Sequence, residues 1–168
     1  RRIAVPIREV WNKITLRKKQ GEITYSQTVD EIMRAFARAL RGVTEAEIEE
    51  AKKSFYAKHR IVRPFATPLL NFLGDQGIDP HIISATIYPV MDIVRQDLPS
   101  FVHVHTSHFH VENGVYTGEV AQILDGEKKR EILREIRKEK DVIIAFGDST
   151  GDIPMLEEAR HAVVVTPH

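Results

Sequence analysis

The feature that most constrains this chain is a strand–turn–helix pattern near residue 150. Four apolar residues, Val142 to Ala145, predict a buried strand, and the segment Ala145-Phe-Gly-Asp-Ser-Thr-Gly-Asp-Ile-Pro-Met-Leu156 then enters a helix. Two carboxylates, Asp148 and Asp152, flank the turn. Open α/β sheets bind ligands at the carboxyl ends of such strands. The pattern therefore predicts a ligand site, and its oxygen ligands suit Mg²⁺, which keeps waters for a substrate phosphate.

Strand and helix patterns alternate from Arg63 to residue 168. The predicted helices are 64–75, 88–96, 127–139 and 153–159, and the predicted strands are 81–84, 101–105, 109–112, 115–120, 142–146 and 162–165. Asn113-Gly114 predicts the tight turn of a β-hairpin. Strands that alternate with helices favour a parallel sheet with helices on both faces, so we predict an α/β fold.

Residues 7–62 show helical patterns only. Thr28-x-x-Glu31 and Thr44-x-x-Glu47 are capping-box signals, and apolar residues at helical spacing predict three helices with one buried face each. The apolar positions are Ile7, Val10, Trp11 and Ile14, then Ile32, Met33, Phe36 and Leu40, then Ile48, Ala51 and Phe55. We therefore predict a helical domain over residues 1–62 and an α/β domain over residues 63–168.

Composition argues against several classes of protein. Lys plus Arg and Asp plus Glu both number 24, so no net charge favours a nucleic-acid or anionic-membrane partner. No apolar run approaches the roughly 18 residues that a membrane span needs. The absence of cysteine rules out a disulfide framework and fits a reducing interior, so we expect a cytoplasmic protein. The oligomeric state is left open.

Two further polar positions are candidates for binding a phosphate group. Ser84 ends the predicted strand 81–84, where its hydroxyl and the amides of Ala85 and Thr86 can donate to phosphate oxygens. Lys129, near the start of the helix 127–139, can place a positive charge against phosphate. Taken singly, such a serine is typical of a turn and such a lysine of a solvated helix face.

Four histidines stand close together at positions 103, 105, 108 and 110. On a strand, His103 and His105 share one face, as do His108 and His110 in the next segment. Imidazole pairs can bind Zn²⁺ or Ni²⁺. Surface histidines usually do no more than titrate, and no cysteine accompanies these four, so ordinary surface residues are the favoured interpretation.

In sequence order, the polar positions resemble the phosphoserine-phosphatase branch of the haloacid dehalogenase-like hydrolases. Those enzymes have a Ser or Thr after an apolar strand, then a hairpin, then a Lys in a Lys-x-Glu-Ile-Leu-like context, and finally Gly-Asp-x-x-x-Asp. The matching positions here are Ser84, the hairpin 109–120, Lys129, and Asp148 with Asp152. The resemblance covers nearly the whole chain. It implies a Rossmann-like core and a helical cap, which corresponds to residues 1–62.

The resemblance also implies an activity. The expected enzyme is a Mg²⁺-dependent phosphatase that hydrolyses a small organic phosphate through an aspartyl-phosphate. Asp148 would bind Mg²⁺, Lys129 and Asp152 would be catalytic, and Ser84 and Ala85 would bind the substrate phosphate. The cap would close over this site and select the leaving group.

The chain departs from the family at two points. The family's nucleophile and general acid–base are the two aspartates of an Asp-x-Asp motif. Here Arg2-Ile-Ala-Val5 resembles the approach to that motif, but Pro6-Ile7-Arg8 follows it and the first carboxylate is Glu9. We expect the motif in native residues upstream, without which the chain would be inactive; the alternative is a non-catalytic phosphate-binding or interaction relative. Gly151 stands where phosphoserine-specific enzymes often carry Asn, which weakens phosphoserine as the substrate.

Overall fold

The computed structural model of the chain describes residues 4–59, 62–139 and 143–165. Within these ranges the helices are α1 (Ala4–Lys19), α2 (Tyr25–Leu40), α3 (Glu45–Tyr56), α4 (Ala66–Asp75), α5 (Tyr88–Arg95), α6 (Gly126–Arg137) and α7 (Ile153–Glu158). The strands are β1 (His81–Ile87), β2 (His103–Glu112), β3 (Val115–Gln122), β4 (Ile144–Gly147) and β5 (His161–Val164).

The chain divides into two compact units. The first comprises Arg1–Ala35 and Ile123–His168, and the second comprises Phe36–Gln122. Helix α2 therefore contributes residues to both. The domain boundary predicted at residue 62 stays a prediction.

The first unit contains a two-stranded parallel sheet. Its strand β4 is followed by the turn that carries Asp148 and Asp152, called the carboxylate turn below. β4 pairs with β5, with Ile144 opposite His161 and Gly147 opposite Val164. Helix α7 contacts β4, β5 and α6. The buried apolar side chains of this part are Leu124, Leu133, Ile143, Ala145, Met155 and Leu156. The turn between β4 and α7 is thus attached to a small apolar core.

Strand β4 is buried on one face only. Ile143 and Ala145 are buried, whereas Ile144 and Phe146 are 55% and 62% exposed. The prediction of a buried strand therefore holds for one face of β4 only, and among the described residues nothing buries Ile144 and Phe146 on the other face. Val142, the first residue of the predicted strand, lies outside the described residues.

The second unit contains a three-stranded sheet in the order β1-β2-β3. β1 and β2 are parallel, and β2 and β3 form the predicted hairpin, in which Asn113 and Gly114 have φ angles of 51° and 75°. These positive φ angles are those that Asn-Gly adopts in a tight hairpin turn. The two predicted strands 101–105 and 109–112 form one strand, β2, because its first half pairs with β1 and its second half with β3.

The predicted α/β class with parallel strands is confirmed. The helices predicted over 64–75, 88–96, 127–139 and 153–159 form α4 to α7, with each end within two residues of its predicted position. Among the described helices, none combines the length and the apolar character required to cross a bilayer.

Helix α2 begins earlier than its sequence signal predicts. Its capping box is Thr24-x-x-Gln27: the Thr24 N–H donates to Gln27 Oε1 (2.8 Å) and the Gln27 N–H to Thr24 Oγ1 (3.2 Å). Thr28 lies inside the helix, where its hydroxyl donates to the Thr24 carbonyl, and Glu31 accepts from Arg17 instead. The capping box predicted at Thr28 and Glu31 is therefore wrong, since the preceding signal starts the helix first.

Helix α3 begins as predicted but buries a different face. The Thr44 N–H donates to Glu47 Oε2 (2.8 Å) and the Glu47 N–H to Thr44 Oγ1 (3.2 Å), which confirms this capping box. Phe55, expected in the core, is 42% exposed, whereas Lys52 is only 5% exposed. The Lys52 ammonium donates to Glu49 (2.5 Å) and to Asp92 of α5. An ion-pair network therefore joins α3 to α5, and Lys52 takes the buried position on α3 that was expected for Phe55.

The predicted apolar faces of the first two helices are partly confirmed. Ile14 and Leu40 are buried, but Trp11 is 47% exposed. Ile7 lies in a stretch whose side chains are outside the described residues.

The Lys52 network predicts a position-specific loss of stability. Lys52→Met should lower the free energy of unfolding by about 1–3 kcal/mol, because Asp92 loses its donor in a partly buried setting. Lys53→Met, a change at the exposed neighbouring residue, should stay within about 0.5 kcal/mol of the wild type. Urea unfolding of both variants measures this difference, and equal effects would contradict the assignment.

Candidate active site

The carboxylate turn is built on close contact between its own residues. A Cβ atom on Gly147 would lie 2.5 Å from the Cβ of Asp152, so only glycine allows this approach. A short 3₁₀ turn, Thr150–Asp152, follows, and Ser149 caps it. The Asp152 N–H donates to the Ser149 carbonyl (3.0 Å). This arrangement folds the Asp152 side chain back against the end of β4.

The Asp152 carboxylate accepts four hydrogen bonds. Lys129 Nζ donates to Oδ1 at 2.6 Å. The N–H groups of Asp148 and Ser149 donate to Oδ2 at 3.2 and 3.0 Å, and the Ser149 hydroxyl donates to the same oxygen at 2.7 Å. The side chains of Lys129 and Asp152 are only 8% and 9% exposed. Such a pair tolerates burial because its donors and acceptors are satisfied.

Lys129 reaches Asp152 because α6 approaches the turn closely. Asp125 caps α6 by accepting from the Lys128 N–H (3.0 Å). At Gly126 an added Cβ would lie 3.0 Å from Pro154 Cγ and 3.1 Å from the Gly151 carbonyl oxygen. The glycine therefore lets α6 lie against the turn, with Lys129 one helical turn further on.

The pKa of the Asp152 carboxyl reflects opposing effects. Burial alone raises it, but the hydrogen bond from Lys129, those from Ser149 and the positive charge of Lys129 outweigh burial, so the pKa lies below its ordinary value. Asp152 is therefore a fixed anion at neutral pH.

Asp148 differs from Asp152 in its surroundings. It is exposed, and within the described residues its carboxylate takes part in no hydrogen bond or ion pair. Mg²⁺ prefers oxygen ligands, retains several waters and needs only one or two carboxylates. Asp148 fits such an ion, whereas Asp152 would first have to give up its present donors.

Ser84 and Ala85 belong to the second unit. β1 continues to Ile87, so the prediction that Ser84 ends its strand is wrong. The pairing of β1 with β2 is interrupted between Ile83 and Ile87, which leaves Ser84 and Ala85 in an irregular stretch. The Ser84 hydroxyl accepts from the Thr86 N–H (3.2 Å), and the Ala85 carbonyl accepts from the Ser107 hydroxyl (3.0 Å).

The structure brings together Lys129, Asp148 and Asp152, three of the predicted site residues, and adds two that sequence reasoning missed. Ser149 could have been found, because Ser149-x-x-Asp152 is itself a capping-box signal. Tyr25 carries no local signal. Its ring lies against Gly151 so closely that any Cβ on Gly151 would collide with it.

The sequence is similar to phosphatases. The profile of the haloacid dehalogenase-like hydrolases matches residues 13–157. The chain is 35% identical over 95 residues to a probable phosphatase of Mycobacterium tuberculosis, covering 54% of this chain and 33% of that protein. It is 29% identical over 159 residues to a phosphoserine phosphatase of Albidiferax ferrireducens, covering 89% of this chain and 64% of that protein. The chain thus spans between a third and two thirds of these relatives.

Solved structures show the same fold. A probable phosphoserine phosphatase from Vibrio cholerae matches with a TM-score of 0.71 at 21% identity, covering 97% of this chain and 50% of that one. A phospho-aspartyl intermediate analogue of phosphoserine phosphatase matches with a TM-score of 0.67 at 22% identity, covering 97% and 77%. At these identities the likeness concerns the fold.

The lowered pKa of Asp152 predicts an acid-dependent loss of stability. At neutral pH, Asp152→Asn should cost about 3–5 kcal/mol, because Lys129 stays buried without its counter-charge. A carboxyl with a lowered folded pKa stabilises the protein above its unfolded pKa of about 4. The difference between wild type and variant should therefore be constant above that pH and shrink as the pH falls below it. Chemical unfolding across this range tests the sign, and a pH-independent difference would contradict it.

The contact between Tyr25 and Gly151 predicts a coupled pair of substitutions. Gly151→Asn should lower the free energy of unfolding by about 1–3 kcal/mol through overpacking against Tyr25. In the Tyr25→Ala background the same change should cost clearly less, since the ring is gone. A double-mutant cycle by thermal or urea unfolding measures the coupling, and strict additivity would show that the two residues are independent.

Proposed function

The chain belongs to the haloacid dehalogenase-like hydrolases, and on this premise we propose that the intact protein is a phosphatase acting on a small organic phosphate ester. The observation that carries this proposal is the buried pair of Lys129 and Asp152, which fixes a turn with Asp148 exposed at the end of β4. Phosphoryl transfer requires a positioned phosphate and compensation of its charge more than covalent help from the protein. A turn that is held by a buried ion pair and carries a second, exposed carboxylate suits this task.

Asp148 is the residue that we propose to hold Mg²⁺, with water completing the coordination. The bound ion would offset phosphate charge. The backbone N–H of Asp148 is held by Asp152 Oδ2 at 3.2 Å, so the position of the Asp148 backbone is fixed before any ion binds. This preorganisation supports Asp148 as a ligand.

Lys129 and Asp152 have complementary proposed roles. Asp152 positions the turn through its four hydrogen bonds, and it holds the Lys129 ammonium in place. A lysine ammonium can act as a point charge against a phosphate group. We therefore propose that Lys129 contributes electrostatically, with Asp152 as its positioning partner.

The phosphate donors are carried over from the resemblance. Ser84 accepts a hydrogen bond from Thr86, which leaves its own hydroxyl hydrogen for donation to a phosphate oxygen. The Ala85 N–H is the second proposed donor. The nucleophile is proposed to be an aspartate of native residues outside these 168, since the sequence contains no Asp-x-Asp.

The substrate is proposed as a small organic phosphate ester. The ring of Tyr25 occupies the space in which a side chain at position 151 would lie. An Asn at position 151, which phosphoserine-specific enzymes often carry, would therefore collide with the Tyr25 ring. The absence of this Asn weakens the case for phosphoserine as the substrate. Phosphoserine, an amino-alcohol phosphate and a sugar or lipid phosphate are all candidates, and a substrate panel on the intact protein distinguishes them. A cytoplasmic location remains part of the proposal.

A second candidate is a non-catalytic phosphate-binding or interaction relative. The observation in its favour is the missing Asp-x-Asp. The intact mass of the natively expressed protein separates the two proposals: a mass equal to the 168 residues favours the non-catalytic protein, and an excess of several residues favours the enzyme.

Asp148→Asn in the full native protein tests the phosphatase proposal. Turnover of a generic aryl phosphate with Mg²⁺ should fall by about 10²-fold or more, the size expected for loss of one electrostatic group in an active site. Glu119→Gln, at an exposed carboxylate of β3, serves as the matched control and should retain activity. Full activity of Asp148→Asn would refute the assigned role.

A further inference from the structure

Three side chains with metal-binding atoms meet where β1 and β2 begin. Asp79, His81 and His103 each place one ligand atom within 4.8 Å of the others. All three belong to the second unit, and none is a proposed phosphatase residue. Asp79 and His81 lie outside the group of four histidines at positions 103, 105, 108 and 110.

The parallel pairing of the strands creates this cluster. His81 lies opposite His103 in the register of β1 and β2, so the two imidazoles lie side by side with ring centroids 4.5 Å apart. The His103 N–H donates to the Pro80 carbonyl at 2.9 Å, which fixes the backbone at this point. Asp79 Oδ1 lies 3.3 Å from His103 Nε2. Ligands from two strands are thus held together by the main chain.

His105 adds a second layer to the cluster. Its Nε2 lies 3.1 Å from Nδ1 of His81, and the two rings are stacked with an interplanar angle of 12°. In metal sites, a hydrogen bond to a ligating histidine fixes its tautomer and its ring orientation. His105 is placed to do this for His81.

We propose that Asp79, His81 and His103 bind one Zn²⁺ ion. Two imidazoles and a carboxylate form a mixed nitrogen and oxygen donor set, which suits Zn²⁺, whereas Mg²⁺ prefers oxygen alone. Ligand atoms around tetrahedral zinc are about 3.4 Å apart. The side chain of His103 is 54% exposed, so its ring can turn to shorten the present distances. Water supplies the fourth ligand.

The other histidines of the run have different neighbours. The ring of His108 stacks on Tyr88, with centroids 5.3 Å apart. His110 lies beside Glu112, with a closest nitrogen–oxygen distance of 3.8 Å. His110 is therefore a matched control on the same strand, since it is exposed and outside the cluster.

Calorimetric titration of the whole protein with ZnCl₂, in buffer containing excess Mg²⁺, tests the site. Wild type should bind one Zn²⁺ per chain at micromolar concentrations. His81→Asn and His103→Asn should each weaken binding at least about tenfold, and His110→Asn and Asp148→Asn should leave it unchanged. Asp79→Asn, at an exposed residue, should also weaken zinc binding. This variant replaces a histidine variant in the test if that variant fails to fold.

A second measurement locates the ion. Zinc should shift the imidazole ¹⁵N resonances of His81 and His103 in the wild type and leave those of His110 in place. It should also raise the melting temperature of the wild type but not of His103→Asn, because a ligand that binds only the native state stabilises it. Wild-type affinity in all three cluster variants, or no micromolar binding by the wild type, would overturn the site. Neither result bears on the phosphatase proposal, which depends on Asp148.

Discussion

The buried ion pair of Lys129 and Asp152 is the interaction on which the carboxylate turn depends. Removing two charges from water is costly, and the structure compensates this cost by giving the carboxylate four donors. Three of them come from the turn itself and the fourth from α6. One side chain therefore closes the turn and attaches it to a neighbouring helix, which leaves Asp148 exposed on a fixed backbone.

In the second unit, too, an ion pair holds neighbouring elements together. Lys52 is buried between Glu49 and Asp92 and joins α3 to α5. Opposing effects act on the pKa of Lys52: burial lowers it, but the hydrogen bonds and charges of the two carboxylates raise it by more, so the net shift is upward. Lys52 therefore stays charged. Its hydrogen bonds to the two carboxylates depend on direction as well as distance, so this contact fixes the orientation of α3 on α5 more closely than an apolar contact would.

Backbone register and glycine govern how closely these side chains approach. Parallel pairing of β1 with β2 brings His81 beside His103, and the absence of a side chain at Gly147 lets Asp152 fold back. Gly151 likewise admits the ring of Tyr25. In each case the backbone determines whether the side chains can meet. A change of one residue in strand register would separate the two histidines, and an added Cβ at either glycine would displace its neighbour.

Local features of the fold could be read from the sequence, because they depend on neighbouring residues. The Asn113-Gly114 turn, the capping box at Thr44, the positions of α4 to α7 and the order of the carboxylates follow from local pattern and turn chemistry. Which distant groups meet became visible in the folded chain, where Lys129 lies against Asp152, Tyr25 against Gly151 and His81 against His103. The folded chain also shows that one face of β4 is exposed and that Lys52 is buried. Periodicity indicates which face of a helix or strand is apolar, but it does not identify the distant segment that packs against that face.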